Sequence, residues 1–178
     1  MIKNSMTKQH CITTSHITDY LVSELKMKDS LKKEFVQASL LHDVGKNYIP
    51  DELLNKKDKL SPLEKSQIDM HSIHGYIELK NKNYSNIVCG LVLLHHGFNK
   101  PATKNFIAHE IKRIDPLVIK HFNIIMTADI YSALRVDRSY RKKMSHDEAI
   151  LILKKEPEIS NRLIEIINKM PQEIIRQP

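Results

Sequence analysis

Leu40-Leu41-His42-Asp43-Val44-Gly45-Lys46, followed by Pro50, closes an apolar helical run with an adjacent imidazole and carboxylate. These two groups are the commonest protein ligands for borderline and hard divalent cations. Neighbouring helical residues point about 100° apart. A His-Asp pair therefore offers one ligand to one ion while the second carboxylate oxygen reaches another. Gly45 suits a helix end, where glycine tolerates the left-handed conformation. Lys46 then stands just past the last turn, placed to meet an anion. Fold and function both turn on whether the rest of the chain supplies further ligands.

Upstream, residues 6–28 read as a first helix, with Ile12, His16, Tyr20 and Leu21 close to one stripe. Ser30 reads as the N-cap of the helix that ends at His42-Asp43. Downstream, Pro50-Asp51 begins a short helical turn through Leu54. Ser61-Pro62-Leu63-Glu64 has capping-box spacing and opens a helix that runs to about Leu79, carrying His71 and His74. Residues 87–96 are apolar nearly throughout. They are assigned to helix, because the neighbours are helical and no strand candidate exists to pair with them. Gly97 stops that helix behind His95-His96, and a loop containing Pro101 follows. A short helical turn covers 106–112. Asp115-Pro116 starts a long helix to Leu134 that carries Asp129. A basic loop over 135–143 precedes a second capping box at Ser145-His146-Asp147-Glu148, and residues 159–175 form a last amphipathic helix.

The 178 residues suffice for one domain with a hydrophobic core. Scarce glycine and abundant Lys, Glu, Leu and Ile favour a mostly helical protein. No apolar run reaches the roughly 18 residues needed to span a bilayer, and the first residues hold no apolar signal segment. Cys11 and Cys89 have no CxxC partner and read as reduced thiols of a cytoplasmic protein. The net charge of +7 is compatible with a phosphorylated small substrate. Most lysines sit beside glutamates as a solvated surface. No aromatic-interleaved basic patch is present, which disfavours a nucleic-acid partner.

Candidate ligands recur at helix ends and on apolar faces: His16, His42-Asp43, His71, His95-His96 and Asp129. A buried carboxylate such as Asp129 needs a compensating partner. In this pattern the chain resembles the HD superfamily of metal-dependent phosphohydrolases, and within it the HD-GYP branch. His42-Asp43-Val44-Gly45-Lys46 with Ile49-Pro50 is similar to that branch's HDxGKxxIP. Residues 60–64 and 70–75 resemble its LTxxE and HxxxG segments, and His95-His96 its paired histidines. Ala128-Asp129-Ile130-Tyr131-Ser132-Ala133, with Asp137-Arg138-Ser139-Tyr140-Arg141, resembles its ADxxDAxxxxRxYR signature.

The resemblance implies an all-α, single-domain helical bundle with a metal site between central helices. Its core would span about 8–155, with the helix over 159–176 docked on it. It implies that His16, His42, Asp43 and Asp129 hold one ion, and that Asp43 bridges to a second held by His71, His95 and His96. Asp43 and Lys46 would be catalytic, with Lys46, Arg138 and Tyr140 meeting the substrate. Iron or manganese is the implied metal, with zinc or nickel as alternatives. Two ions about 3.5–4 Å apart activate a water and clamp phosphoryl oxygens, and Lys46 can stabilise or protonate the leaving oxygen.

The expected activity is hydrolysis of a nucleotide phosphodiester, a cyclic dinucleotide of the cyclic di-GMP type. The alternatives are an HD-type nucleotidase or phosphomonoesterase, and a catalytically silent nucleotide-binding member. The segment Gly97-Phe98-Asn99-Lys100-Pro101 is shorter than in the branch and lacks its Gly-Tyr-Pro, and Ser132 stands where the branch has Asp. A Glu seen one turn before the first histidine in three-metal members would fall at Ile12, so two ions at most are expected. No sensor or receiver segment is expected to precede the unit. His10, His74, His109, His121 and His146 match no ligand position and read as surface or supporting histidines. His74 is set apart by lying one turn from His71. Arg135, Arg138, Arg141, Lys142 and Lys143 form either a solvated loop or a phosphate-attracting rim.

Overall fold

The computed structural model describes residues 5–136 and 142–175, and no strand occurs among them. Helix α1 spans Ser5–Glu24 and α2 spans Asp29–Leu41. A 3-10 turn, Val44–Tyr48, leads into α3, Asp51–Leu54. Then come α4, Pro62–Asp69; α5, His71–Asn81; and α6, Asn86–Leu94. The remainder is α7, Lys104–Glu110, with a 3-10 turn at Ile111–Arg113; α8, Pro116–His121; α9, Asn123–Leu134; α10, His146–Leu153; α11, Asn161–Asn168; and a final 3-10 turn, Gln172–Ile175.

Helix α6 is the axis of the fold. Every residue from Val88 to Leu94 is buried. A helix that is apolar all round belongs inside a protein, and each such Leu or Val contributes about 1.5–3 kcal/mol on burial. The expectation of a helix here holds, and Ser85 caps it by accepting from Val88 N at 3.1 Å. Around α6 pack α2, α5 and α8, while α1 lies across α2 and α9. Ile17, Leu21, Phe35, Leu91, Ile125 and Tyr131 are all inaccessible within this core.

Several boundaries differ from expectation. Helix α2 starts at Asp29, behind Lys28, and Ser30 is not its cap. The left-handed Lys26 (φ 54°) ends α1, with Met27 N bonded back to Val22 O, which leaves Lys28 as the boundary residue. The helix from Pro62 opens with the expected capping box but is interrupted at Met70. There the Ile68 carbonyl accepts from the His71 ring and the Asp69 carbonyl from the Ser72 hydroxyl, so side chains finish α4. The helix from Pro116 likewise divides at Phe122, whose ring packs on Phe98. The C-terminal amphipathic stretch is α11 and a 3-10 turn separated by Pro171, which cannot continue a helix. Leu163, Ile164 and Ile167 of α11 are buried, and the helix contacts α1, α9 and α10.

Candidate metal centre

The centre forms where helix ends converge. His42 and Asp43 follow α2, His71 opens α5, His95 and His96 close α6, and Asp129 lies in the middle of α9. All are buried except His96, which is partly exposed. Gly45 does not end a helix in the left-handed conformation; among the glycines only Gly97 has a positive φ, 78°. Gly45 permits contact instead. A Cβ there would lie 1.9 Å from His71 O and 2.5 Å from Gly75 N. Only a hydrogen fits, and the 3-10 turn can therefore lie directly on α5. That contact brings Asp43 Oδ1 to 3.2 Å from His71 Nε2.

Three rings are locked in the same way. His42 Nδ1 meets Ser39 O at 2.7 Å, His71 Nδ1 meets Ile68 O at 2.6 Å, and His95 Nδ1 meets Val92 O at 2.6 Å. Each acceptor is the carbonyl three residues earlier. A carbonyl only accepts, so each ring carries a proton on Nδ1 and turns Nε2 inward. His71 Nε2 then lies 3.2 Å from both His95 Nε2 and His96 Nε2. Facing lone pairs of His71 and His95 have no hydrogen between them, an arrangement that a shared cation relieves. His42 Nε2 is buried with no hydrogen-bond partner among the described residues. It lies 3.5 Å from Asp43 Oδ2 and 3.6 Å from Asp129 Oδ1.

Three overlapping sets of donors result: His71, His95 and His96; His10, His42 and Asp43; and His42, His95 and Asp129. Imidazole and carboxylate in this proportion suit divalent transition metals better than magnesium, and the orphaned Nε2 atoms are the positions that ions would fill.

Charge is balanced around the two carboxylates. Burial pushes the Asp43 carboxyl up, but Lys46, His42 and His71 override it and hold it well below the usual carboxylate range. Asp129 is held down in the same way against burial, by His10 and His42. Lys46 Nζ sits 2.6 Å from Asp43 Oδ2. Burial lowers the Lys46 pKa, but Asp43 outweighs it and the net shift is upward. His42 is raised well above the ordinary histidine value, because Cys11, Asp43 and Asp129 overcome its burial. His95 goes the opposite way, pushed well down by burial and by the neighbouring rings. His96 falls to about 3, driven by burial and His71.

The first histidine lies apart from these sets. His16 joins none of the three sets, and its buried Nδ1 has no partner among the described residues. His10 lies beside the carboxylate instead, with Nε2 2.8 Å from Asp129 Oδ1. Six residues along a helix amount to about 120° around its axis, so the two rings face different neighbours. The buried stripe of α1 runs through Thr14, Ile17 and Leu21, and His10 extends it at helical spacing. That spacing was the available signal; the stripe drawn through Ile12 and Tyr20 obscured it. The position one turn before His10 is Met6, which offers no carboxylate for a third ion.

His74 belongs to no set; its ring packs on Tyr48 at 5.7 Å, and burial and His71 lower its pKa. His146 accepts or donates at 2.7 Å to Tyr131 Oη. Arg138 and Tyr140, with Arg141, lie outside the described residues.

A helical bundle whose histidines and aspartates converge from separate helices is the arrangement of an HD-type metal centre. The family model for the HD domain matches residues 7–154, and the chain belongs to this family. Among curated proteins it is 28% identical over 158 residues to 3'3'-cGAMP-specific phosphodiesterase 1 of Vibrio cholerae, covering 86% of this chain and 35% of that one. It is 30% identical over 154 residues to the cyclic di-GMP phosphodiesterase PA4108 of Pseudomonas aeruginosa, covering 81% and 34%. The chain thus spans about a third of the length of these relatives. Among solved structures it matches the HD domain of the L. monocytogenes phosphodiesterase PgpH in complex with cyclic-di-AMP, with a TM-score of 0.64, 17% identity, and coverage of 96% of this chain and 89% of that one. At that identity the likeness speaks for the fold.

Proposed function

We propose that this chain is a metal-dependent phosphodiesterase of the HD-GYP branch that hydrolyses a cyclic dinucleotide. The observation that carries the reading is Asp43, whose two oxygens face two donor sets, His71 on one side and His42 with Lys46 on the other. In this reading His10, His42, Asp43 and Asp129 hold one ion, and Asp43, His71, His95 and His96 hold a second. His10 takes the role expected of His16. Two divalent ions, iron or manganese before zinc or nickel, supply Lewis acidity and a nucleophile at neutral pH when bound.

The chain's own residues do the rest. Carbonyl bonds to Nδ1 keep the inward nitrogens of His42, His71 and His95 ready as donors. Lys46, kept protonated by Asp43, faces the oxygen that leaves the phosphate and supplies its charge or its proton. Arg138 and Tyr140 are assigned to substrate binding on the motif alone. Cyclic dinucleotides are favoured because the curated relatives are named for cyclic di-GMP and 3'3'-cGAMP. No helix among the described residues is long and apolar enough to cross a membrane. The free, buried Cys11 and Cys89 suit the reducing cytoplasm.

The test is an anaerobically purified, manganese- or iron-loaded chain incubated with cyclic di-GMP, 3'3'-cGAMP and cyclic-di-AMP, with products separated by chromatography. A linear dinucleotide or mononucleotide product, abolished in Asp43→Ala, is expected. Release of inorganic phosphate from mononucleotides instead would move the chain to the phosphomonoesterase class. Binding without turnover under every metal would make it a nucleotide-binding member.

A further inference from the structure

A substrate meets this centre where its side chains reach solvent. The side chains of His42, Asp43 and His71 are at most 2% exposed, whereas His96 keeps 26% and Lys46 24%. Lys46 is already engaged there, with Nζ 2.6 Å from Asp43 Oδ2. A second lysine, Lys100, comes from the short segment behind His96, and that segment is fixed at both ends. Gly97 turns it with a φ of 78°, Phe98 N donates to Glu158 Oε1 at 3.3 Å, and the Phe98 ring packs on Phe122. At its far end the Lys100 carbonyl accepts from Thr103 N and Lys104 N, both at 3.0 Å. Lys100 is thereby held with its side chain 34% exposed and its Nζ 3.9 Å from Asp69 Oδ1, two residues before His71. That separation is an ion pair and not a hydrogen bond, and among the described residues the ammonium makes no hydrogen bond. A pair of this kind in contact with water is weak, which leaves the ammonium available to an anion. Its charge also reaches the ligands: burial and His71 hold the His96 pKa down, and Lys100 adds to them.

We propose that Lys100 binds the second phosphate of the cyclic dinucleotide, the one that is not being hydrolysed. This rests on the phosphodiesterase reading above. A cyclic dinucleotide carries two phosphodiesters, each with a negative charge at neutral pH. The metal centre and Lys46 answer the phosphate under attack. The other is tied to it through the same macrocycle, so its charge is brought to the rim of the site. An anion desolvated there without a partner is unfavourable. An ammonium that exchanges a weak carboxylate pair for a phosphate oxygen supplies that partner. Lys46 cannot serve both phosphates, because Asp43 holds it at the centre. Lys100 has the freedom to do so, on a flexible four-carbon stem whose backbone is anchored four residues from His96. In the absence of substrate Asp69 keeps the ammonium on the imidazole side of the centre. The second phosphate has the same charge in the ground state and the transition state, so this contact acts on binding. The leaving oxygen gains charge in the transition state, so Lys46 acts on the chemical step. Lys100 thus selects substrates with two phosphates, while Lys46 serves any phosphodiester.

The experiment measures kcat and KM of the manganese-loaded full chain, comparing wild type with Lys100→Ala, Lys100→Arg and Asp69→Asn. Two substrates are used: whichever of cyclic di-GMP, 3'3'-cGAMP and cyclic-di-AMP wild type cleaves fastest, and bis(p-nitrophenyl) phosphate, which has a single phosphodiester. Lys100→Ala should raise KM for the cyclic dinucleotide about 10-fold, the worth of one hydrogen bond to a charged group, and leave kcat within about twofold. Both constants for the single diester should stay within about twofold. Lys100→Arg should bring KM back to within about threefold of wild type. Asp69→Asn frees the ammonium and should leave KM unchanged or lower. Thermal unfolding and metal content, equal to wild type, separate these shifts from damage to the segment. A KM for the cyclic dinucleotide within twofold in Lys100→Ala, or an equal rise on both substrates, would overturn the inference alone. So would the same rise in Asp69→Asn, which would make the Lys100–Asp69 pair a structural tether. Failure of wild type to cleave any of the three cyclic dinucleotides would overturn the reading of function, and this inference with it.

Discussion

On one side of Asp43 lie three imidazoles, His71, His95 and His96; on the other lie His10 and His42 with the Asp129 carboxylate. Burial and mutual repulsion push the pKa of His95 and His96 down, so these rings stay neutral and ligand-ready. The carboxylate side is an ion-paired network in which the aspartates are held charged by His10, His42 and Lys46. His95 and His96, kept neutral, meet a cation with little competition. Charged, paired donors already have partners that a cation must replace. The two sides of Asp43 thus differ in charge.

Substituting the joint should have the largest effect. Gly45→Ala puts a methyl 1.9 Å from backbone at His71, and neither turn nor helix can yield without separating the two sides. The expected loss is more than about 4 kcal/mol, the range of the most damaging single changes, read by chemical denaturation; a loss below about 1 kcal/mol would show that the close contact is not maintained in solution. Asp43→Ala should keep the fold but cost both sides a ligand. Activity should fall about 1,000-fold or more, with elemental analysis finding fewer than one ion per chain. Retention of two ions would break the bridging assignment.

The comparison sharpens on α1. His10→Ala should lower metal content by about one ion and activity by about 100-fold or more, whereas His16→Ala should leave both within about twofold. The reverse result would restore His16 as the ligand. Lys46→Ala should leave metal content unchanged and lower kcat by about 100-fold, a split that separates the rim from the ligands. The smallest effect belongs outside both sides, in the α4 cap. The Lys56 ammonium and the Ser61 backbone N–H hold Glu64 down, from 4.5 to about 2. A depressed carboxyl pKa stabilises the fold above its unfolded value and loses that contribution as pH falls from about 4.5 towards 2. Glu64→Gln should flatten the melting temperature across that window without changing metal content. An unchanged slope would show that the cap carries no such linkage.

Much of this is legible in the sequence. The capping boxes at Ser61 and Ser145 depend on residues three apart and form as expected. The apolar run ending at His95-His96 is helix, and Gly97 stops it with a positive φ. His42, Asp43, His71, His95, His96 and Asp129 meet in one place. The sites of failure share a cause. Met70 and Phe122 divide helices that look continuous, because side chains from other turns and elements compete for the local carbonyls and packing. His10 and His16 both fit a helix, and only the rotation of α1 decides which of them lies beside Asp129.

Local chemistry decided which residues could be ligands and where the helices begin, since caps, breakers and 3.6-residue periodicity act over a few residues. Tertiary structure alone decided two things: the face of α1 that meets α9, and the backbone contact beneath Gly45. Each depends on how two elements distant in sequence are rotated against each other. That rotation is set by packing on all sides of a helix at once, which no window of sequence contains.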